Sequence, residues 1–488
     1  MEEAVVLFIF NFKNMNKSNV KWKIKFYLVM VGIPLFAVLT ILMLPPQFDE
    51  TYLGELPYKL ERLKERGDGR LIIIGGSSTA FGIRSDLIEQ ELGVKVVNVG
   101  LYAPLGSKTM LETCIEDVRE NDIVVFSPEQ NPETLSFSFQ PKEVWQAIDG
   151  NYSLLKPLDE DAFKQMLGAF PEFAISKFKY AITGKPKLTG IYCRSSFNEY
   201  GDIAAMGREE NIMPELYDPT MKIDFTERPD DDFVEYLNSF AKRVKKKGAT
   251  FYYRFCPMNE LAVMDETDLD TYVTWLREKI NFCILGNPHE CVMESGWFYD
   301  TNFHLNASGA VLNTYYFVRD LKAELKDASK TEIEIPKMPV TSEKTADDRT
   351  QDNRDAENFL YEEKNGSLMI IGVTDSGMEK RELTIPSEYH GKKVTEVQKE
   401  SFCDCANLEN IYIYGGIALQ NECFRGCSSL KKIILNARPS EIMVGSSLLD
   451  GTEAFLYVKD MEAYCLDYSW GSYSNRIRSF NTVDTKEE

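Results

Sequence analysis

Leu71-Ile72-Ile73-Ile74-Gly75-Gly76-Ser77-Ser78 decides how this chain folds. An unbroken run of large apolar side chains suits a strand buried on both faces, because a strand with one wet face would alternate. The glycine pair then lets the backbone turn sharply and approach a neighbour closely. A serine in that turn stands at the carboxyl end of the strand. It is either the N-cap of the next helix or a hydroxyl presented to helix-end N–H groups.

Outward from this stretch the pattern continues. Residues 86–92 read as a short helix closed by Gly93, and 94–99 as a second strand ending at Gly100. Residues 107–119 read as a helix, and 122–126 as a third strand that runs into Pro128-Glu129-Gln130-Asn131. Strand and helix alternating with short connections predict an α/β domain with a parallel sheet, over residues 52–326. Residues 134–230 break the rhythm with an aromatic-rich insertion. It fits a substrate wall over the sheet's carboxyl edge or a solvated elaboration equally well. The alternation resumes with an amphipathic helix over 232–247, capped by Lys245-Lys246-Lys247-Gly248, a strand over 249–255 and a helix over 269–282.

Residues 327–356 are polar, contain Pro336 and Pro339, and read as a linker. Beyond it, Phe402-x-x-Cys405-x-x-Leu408-x-x-Ile411-x-Ile413 recurs 22 residues on as Phe424-x-x-Cys427-x-x-Leu430-x-x-Ile433-x-Leu435. That period predicts a leucine-rich solenoid over 357–482, one short strand per coil.

Composition narrows the function. With 55 basic and 76 acidic residues the 488-residue chain has a net charge of −21, which argues against nucleic acid as a partner. There are ten cysteines and three histidines, but no Cys-x-x-Cys pair accompanied by His, so neither a metal nor another cofactor is expected. The uncharged run 26–44, interrupted by Pro34, follows Lys13, Lys17, Lys21, Lys23 and Lys25. It reads as a transmembrane signal anchor in preference to a core helix or a cleaved signal peptide, since no small-x-small site follows. This predicts a single-pass cell-membrane protein with residues 1–25 in the cytoplasm and the bulk of the chain outside it.

Of the histidines, His304 stands out. It follows Asp300 in a loop just before an apolar-periodic helix. A carboxylate at that spacing either stabilises the turn or orients the imidazole as a base. A parallel sheet brings the end of its first strand and the loop before its last helix to one edge. The candidate set is therefore Ser77 as nucleophile, His304 as base and Asp300 as orienter. Backbone N–H groups of Ser77 and Gly100 and the Asn131 amide would hold the oxyanion. Ser78 is the alternative nucleophile.

These blocks resemble the SGNH/GDSL hydrolase family. Gly75-Gly76-Ser77, Asn98-Val99-Gly100, Asn131, and Asp300 with His304 correspond to its four motifs. The sequence departs from the family in having Gly76 for its Asp, in its third block, and in an Asp–His spacing one residue longer. The resemblance implies a flavodoxin-like domain and a serine esterase or O-acyltransferase acting on acyl esters of cell-envelope glycans through an acyl-enzyme on Ser77. It also implies a polysaccharide or other glycan as partner, with Arg194 as a glycan contact, and a membrane acyltransferase as a further partner. The repeats resemble bacterial surface leucine-rich repeats of the BspA group. They imply the alternative, a non-catalytic adhesion protein that binds a protein or glycan ligand through the solenoid.

Overall fold

Strand β1 (Leu71–Gly75) is buried along its whole length and pairs in parallel with β2 (Val96–Asn98) on one side and β3 (Ile123–Ser127) on the other. Strands β4 (Thr250–Tyr253) and β5 (Cys283–Ile284) extend the sheet beyond β3, giving the order β2-β1-β3-β4-β5, all parallel. The structure, a computed structural model, describes residues 28–479 apart from 66, 68, 186–190, 205, 214–215, 340–352, 404 and 459–460. Because β2 and β3 lie on opposite sides of β1, the connections leave the sheet in opposite directions there. This opens a crevice at the carboxyl ends of β1 and β3, where doubly wound folds hold ligands.

The opposite end of the same strand pair is pinned by charge. Arg70 Nη2 lies 2.7 Å from Asp122 Oδ2, with both side chains fully buried. The Arg70 N–H donates to Asp122 Oδ1 at 2.9 Å, and Arg70 Nη2 donates to the Asp117 carbonyl at 2.7 Å. The pair stands just before β1 and β3 begin, so it fixes the register that sets Leu71 against Ile123 and Gly75 against Ser127.

The leading segment forms α1 (Ile33–Met43), which buries no residue, and α2 (Leu56–Lys64). From α2 on, the remaining helices follow in chain order. After β1 come α3 (Ser77–Gly82) and α4 (Ser85–Leu92), and between β2 and β3 lies α5 (Ser107–Ile115). The insertion contributes α6 (Pro141–Ala147) and the long α7 (Glu160–Thr183). Helices α8 (Asp231–Lys246), α9 (Thr267–Lys279) and α10 (Ala307–Glu324) complete the layer. The buried residues of α8 include Phe233, Leu237, Phe240 and Val244, the stripe its spacing predicts.

The C-terminal part is a parallel solenoid with two ladders. One stacks β8 (Glu382–Ile385), β10 (Asn410–Ile413), β12 (Lys432–Leu435), β14 (Phe455–Val458) and β15 (Ile477–Ser479). The other runs through β6 (Phe359–Lys364), β7 (Ser367–Val373), β9 (Lys392–Val397), β11 (Ile417–Leu419) and β13 (Ile442–Val444). From β8 to β13 each coil thus adds a strand to both ladders, where the repeat alone showed one. Phe402, Cys405, Leu408, Phe424, Cys427 and Leu430 stack in the core between the ladders.

The N-terminal expectation is corrected. Among the described residues no helix is long and apolar enough to cross a membrane. Within the run 26–44 the chain makes a π-helical turn over Leu28–Gly32, and α1 has only 11 residues, with Pro34 in its first turn. At 1.5 Å per residue α1 is about 16 Å long, against a hydrocarbon core of about 30 Å. The transmembrane anchor and the single-pass membrane location therefore lack the helix they require. The N-terminus over 1–25 lies outside the described residues, as does 340–352 of the linker.

The Arg70–Asp122 pin yields a stability prediction. Asp122→Ala leaves a buried guanidinium without its partner and should destabilise the α/β part by about 3–5 kcal/mol, read as a lower urea midpoint. Replacing both partners with apolar residues, as in Arg70→Met/Asp122→Leu, should cost far less. Equal losses would contradict this account of the pin.

Candidate functional site

Helix α3 begins immediately at the end of β1, so Ser77 and Ser78 stand at the crevice between β1 and β3. Thr79 Oγ1 donates to the Ser127 carbonyl at 3.2 Å and ties the helix to the end of β3. The turn is tight because its glycines must be glycines. A Cβ on Gly100 would stand 2.4 Å from the Thr79 Cβ, and one on Gly76 would stand 2.6 Å from Glu129 Oε1.

Glu129, from the Pro128-Glu129-Gln130-Asn131 run, enters the site although no motif assigns it a role. Its carboxylate is 3% exposed. Ser77 Oγ donates to Glu129 Oε1 at 3.1 Å, and the Ser78 N–H donates to the same oxygen at 2.9 Å. The signal in the sequence was a carboxylate next to the end of a strand that borders the crevice.

The second element is the loop before α10. Thr301 Oγ1 accepts from the N–H groups of Phe303 (3.2 Å) and His304 (3.1 Å), which folds the loop back so that His304 Nδ1 meets Asp300 Oδ1 at 2.8 Å. Asn306 caps α10 by accepting from the Gly309 N–H at 2.9 Å. The imidazole lies flat on Phe81, with 4.1 Å between ring centroids and 4° between planes. Phe81 is one helical turn beyond Ser77 on α3, so the stack joins the loop to the serine helix. Tyr192, from the insertion, donates its hydroxyl to Asp300 Oδ2 and lies 3.2 Å from His304 Nδ1. Burial, aided by the Asp300 charge, pushes the Tyr192 phenol well above its ordinary value and keeps it a donor.

Two buried residues of the domain hold these pieces together, and neither was singled out from sequence. Arg208 Nη1 donates at 2.7 Å to the carbonyls of both Phe81 and Leu305, while its other nitrogens bond the Ile203 and Ala204 carbonyls at 2.9 Å. Burial lowers its guanidinium to about 10. Asp202 accepts from the Ser85 N–H and Oγ at 2.7 Å and from Asn98 Nδ2 at 2.8 Å. The insertion is therefore bonded into the sheet's carboxyl edge, not draped over it.

The other candidates lie elsewhere or are already engaged. The Gly100 N–H donates to Asn98 Oδ1 at 2.9 Å, and Asn131 Oδ1 accepts from the Thr134 N–H at 2.8 Å. Arg194 Nε donates to the Asp49 carbonyl at 2.9 Å, and its guanidinium stands 4.6 Å from the centre of the Tyr58 ring. Among the described residues no group of His, Cys, Asp and Glu has a metal-binding arrangement.

The solenoid reaches the same site from outside. Met213, Met293, Trp297, Phe298, Leu305 and Leu312 of the α/β domain share one apolar cluster with Ala418 and Met443 of the solenoid. Phe298 and Leu305 flank the Asp300–His304 loop. Farther along, Lys142 Nζ bonds Ser474 Oγ and, at 3.3 Å, the Gly471 carbonyl. Burial, reinforced by the Asp300 charge, pushes the Asp467 carboxyl up to about 7.

Comparison with known protein families and with curated proteins finds no match. Among solved structures with partial likeness are two leucine-rich repeat proteins. One is a leucine-rich repeat protein from Bacteroides ovatus, 14% identical over 21% of this chain and 36% of that one, with a TM-score of 0.15. The other is the leucine-rich repeat protein of T. pallidum, 18% identical over 26% of this chain and 62% of that one, with a TM-score of 0.14. This chain thus spans less than two thirds of either.

Asp467 gives a pH prediction. The docked carboxyl, at about 7, holds its proton where a free aspartate near 3.9 has lost it. Docking of the 467–474 segment is therefore favoured at low pH and weakens as pH rises from about 4 to about 7. Hydrogen exchange of this segment should be faster at pH 8 than at pH 5 after correction for intrinsic rates, and Asp467→Asn should remove the difference.

Proposed function

We propose that the protein is a binding protein whose solenoid carries the recognition face. The observation that supports this is the outward row of the first solenoid ladder. Its registers align Tyr412, Ile434 and Tyr457 across β10, β12 and β14, and Asn410, Lys432 and Phe455 beside them. Their inward neighbours Ile411, Ile433 and Leu456 fill the core, while Tyr412, Ile434, Phe455 and Tyr457 remain partly open. The Lys432 ammonium lies 5.3 Å from the Tyr457 ring, and the Arg478 guanidinium 4.3 Å from the Phe455 ring. Tyrosine, phenylalanine and arginine on one extended face are the composition of protein interface centres, and solenoids present such faces. The partner proposed is a protein.

The test uses the immobilised full-length chain. Proteins retained by wild type and by Ser77→Ala should be lost, by about tenfold or more, from Tyr412→Ala/Tyr457→Ala, at the scale of interface hot spots. Identical retained sets for all three chains would remove this reading.

A second reading is favoured by the buried 2.8 Å Asp300–His304 pair, whose imidazole stacks on Phe81 of the helix that begins at Ser77. In it the α/β domain is a serine esterase or O-acyltransferase for acyl esters of glycans, with Ser77 carrying the acyl group to water or a sugar hydroxyl. The solenoid would then bring the enzyme to its substrate. The SGNH/GDSL resemblance supports this reading. The engaged Gly100 and Asn131 groups count against the oxyanion hole it implies. Hydrolysis of p-nitrophenyl acetate should fall by about 1000-fold or more in Ser77→Ala. An unchanged rate would exclude acyl transfer through Ser77.

A further inference from the structure

The resemblance gives the serine's proton to His304, but the hydrogen bond made by Ser77 goes elsewhere. Ser77 Oγ donates to Glu129 Oε1 at 3.1 Å. We propose that Glu129 is the base for Ser77, and that the Asp300–His304 pair positions helix α3 through Phe81. The proposal rests on the second reading above.

Three features fit Glu129 for the task. The Ser78 N–H holds the same oxygen at 2.9 Å, so the acceptor is fixed in direction. Gly76 leaves the room that oxygen needs. Among the described residues no lysine or arginine forms a salt bridge with Glu129, although it is buried. His304 is placed differently: its ring lies face to face on Phe81, and Nδ1 is shared between Asp300 and Tyr192.

The reaction balances with Glu129 as the only proton carrier. Ser77 Oγ bonds to the acyl carbonyl carbon as its proton passes to Glu129 Oε1. The tetrahedral adduct then breaks its bond to the leaving alkoxide oxygen, which takes that proton and departs as the alcohol. Water or a sugar hydroxyl next gives its proton to Glu129 and attacks the acyl-serine. Collapse releases the acid or the new ester, and Ser77 recovers the proton.

The test is fluorophosphonate labelling of the full-length protein between pH 4.5 and 8.5, with Ser77→Ala to identify the labelled site. Glu129→Gln, which keeps the shape and removes the base, should slow labelling by about 100-fold or more, and His304→Gln by less than about tenfold. Glu129→Asp should restore part of the rate. Thermal unfolding of each variant separates lost folding from lost chemistry. The proposal is overturned if folded Glu129→Gln labels as fast as wild type or faster, because the carboxylate then only fills the site. It is equally overturned if His304→Gln abolishes labelling while Glu129→Gln does not. Failure of wild type to label at Ser77 at any pH removes the second reading itself, and this proposal with it.

Discussion

The pairing of β1 with β3 is the constraint on which the α/β domain depends. Each strand is buried on both faces, so neither can slip in register without dragging charge or polar backbone into the core. At the entry end the Arg70–Asp122 pair sets the register. At the exit end the same register delivers Ser77 and Glu129 to one crevice, 52 residues apart in sequence and in hydrogen-bond contact. A single mechanical element thus determines both the stability of the sheet and which side chains meet at its edge.

The His304 loop reaches that edge by a different route. It depends on Arg208, whose guanidinium grips the carbonyl of Phe81 on one side and that of Leu305 on the other. A buried cation bonded to carbonyls cannot be exchanged for an apolar residue without stranding several acceptors. The insertion that carries Arg208, Asp202 and Tyr192 is consequently part of the site's frame. The solenoid abuts this frame, since Ala418 and Met443 share one apolar cluster with Phe298 and Leu305.

Much of this was legible in residue order. The unbroken apolar run at Leu71, the alternation to residue 126 and the Phe-Cys-Leu repeat gave the two architectures, because burial pattern and period are local properties. The proximity of Asp300 and His304 was legible too, since one loop carries both. The membrane helix was misread, because hydropathy and a lysine flank do not reveal that the helical geometry changes at Pro34. Tyr192, Arg208 and Asp202 stayed hidden, because nothing local marks a residue in an irregular insertion as a partner for a loop a hundred residues away.

The sequence by itself determined the parallel sheet, the solenoid and the turn that carries Ser77 at the end of β1. Periodicity and glycine placement act over a few residues and need no partner to be read. Only the tertiary structure decided which group meets that serine. Hydrogen bonds across the crevice depend on which side chains the β1–β3 register brings within about 3 Å. That register put the carboxylate of Glu129, not the imidazole of His304, against Ser77 Oγ.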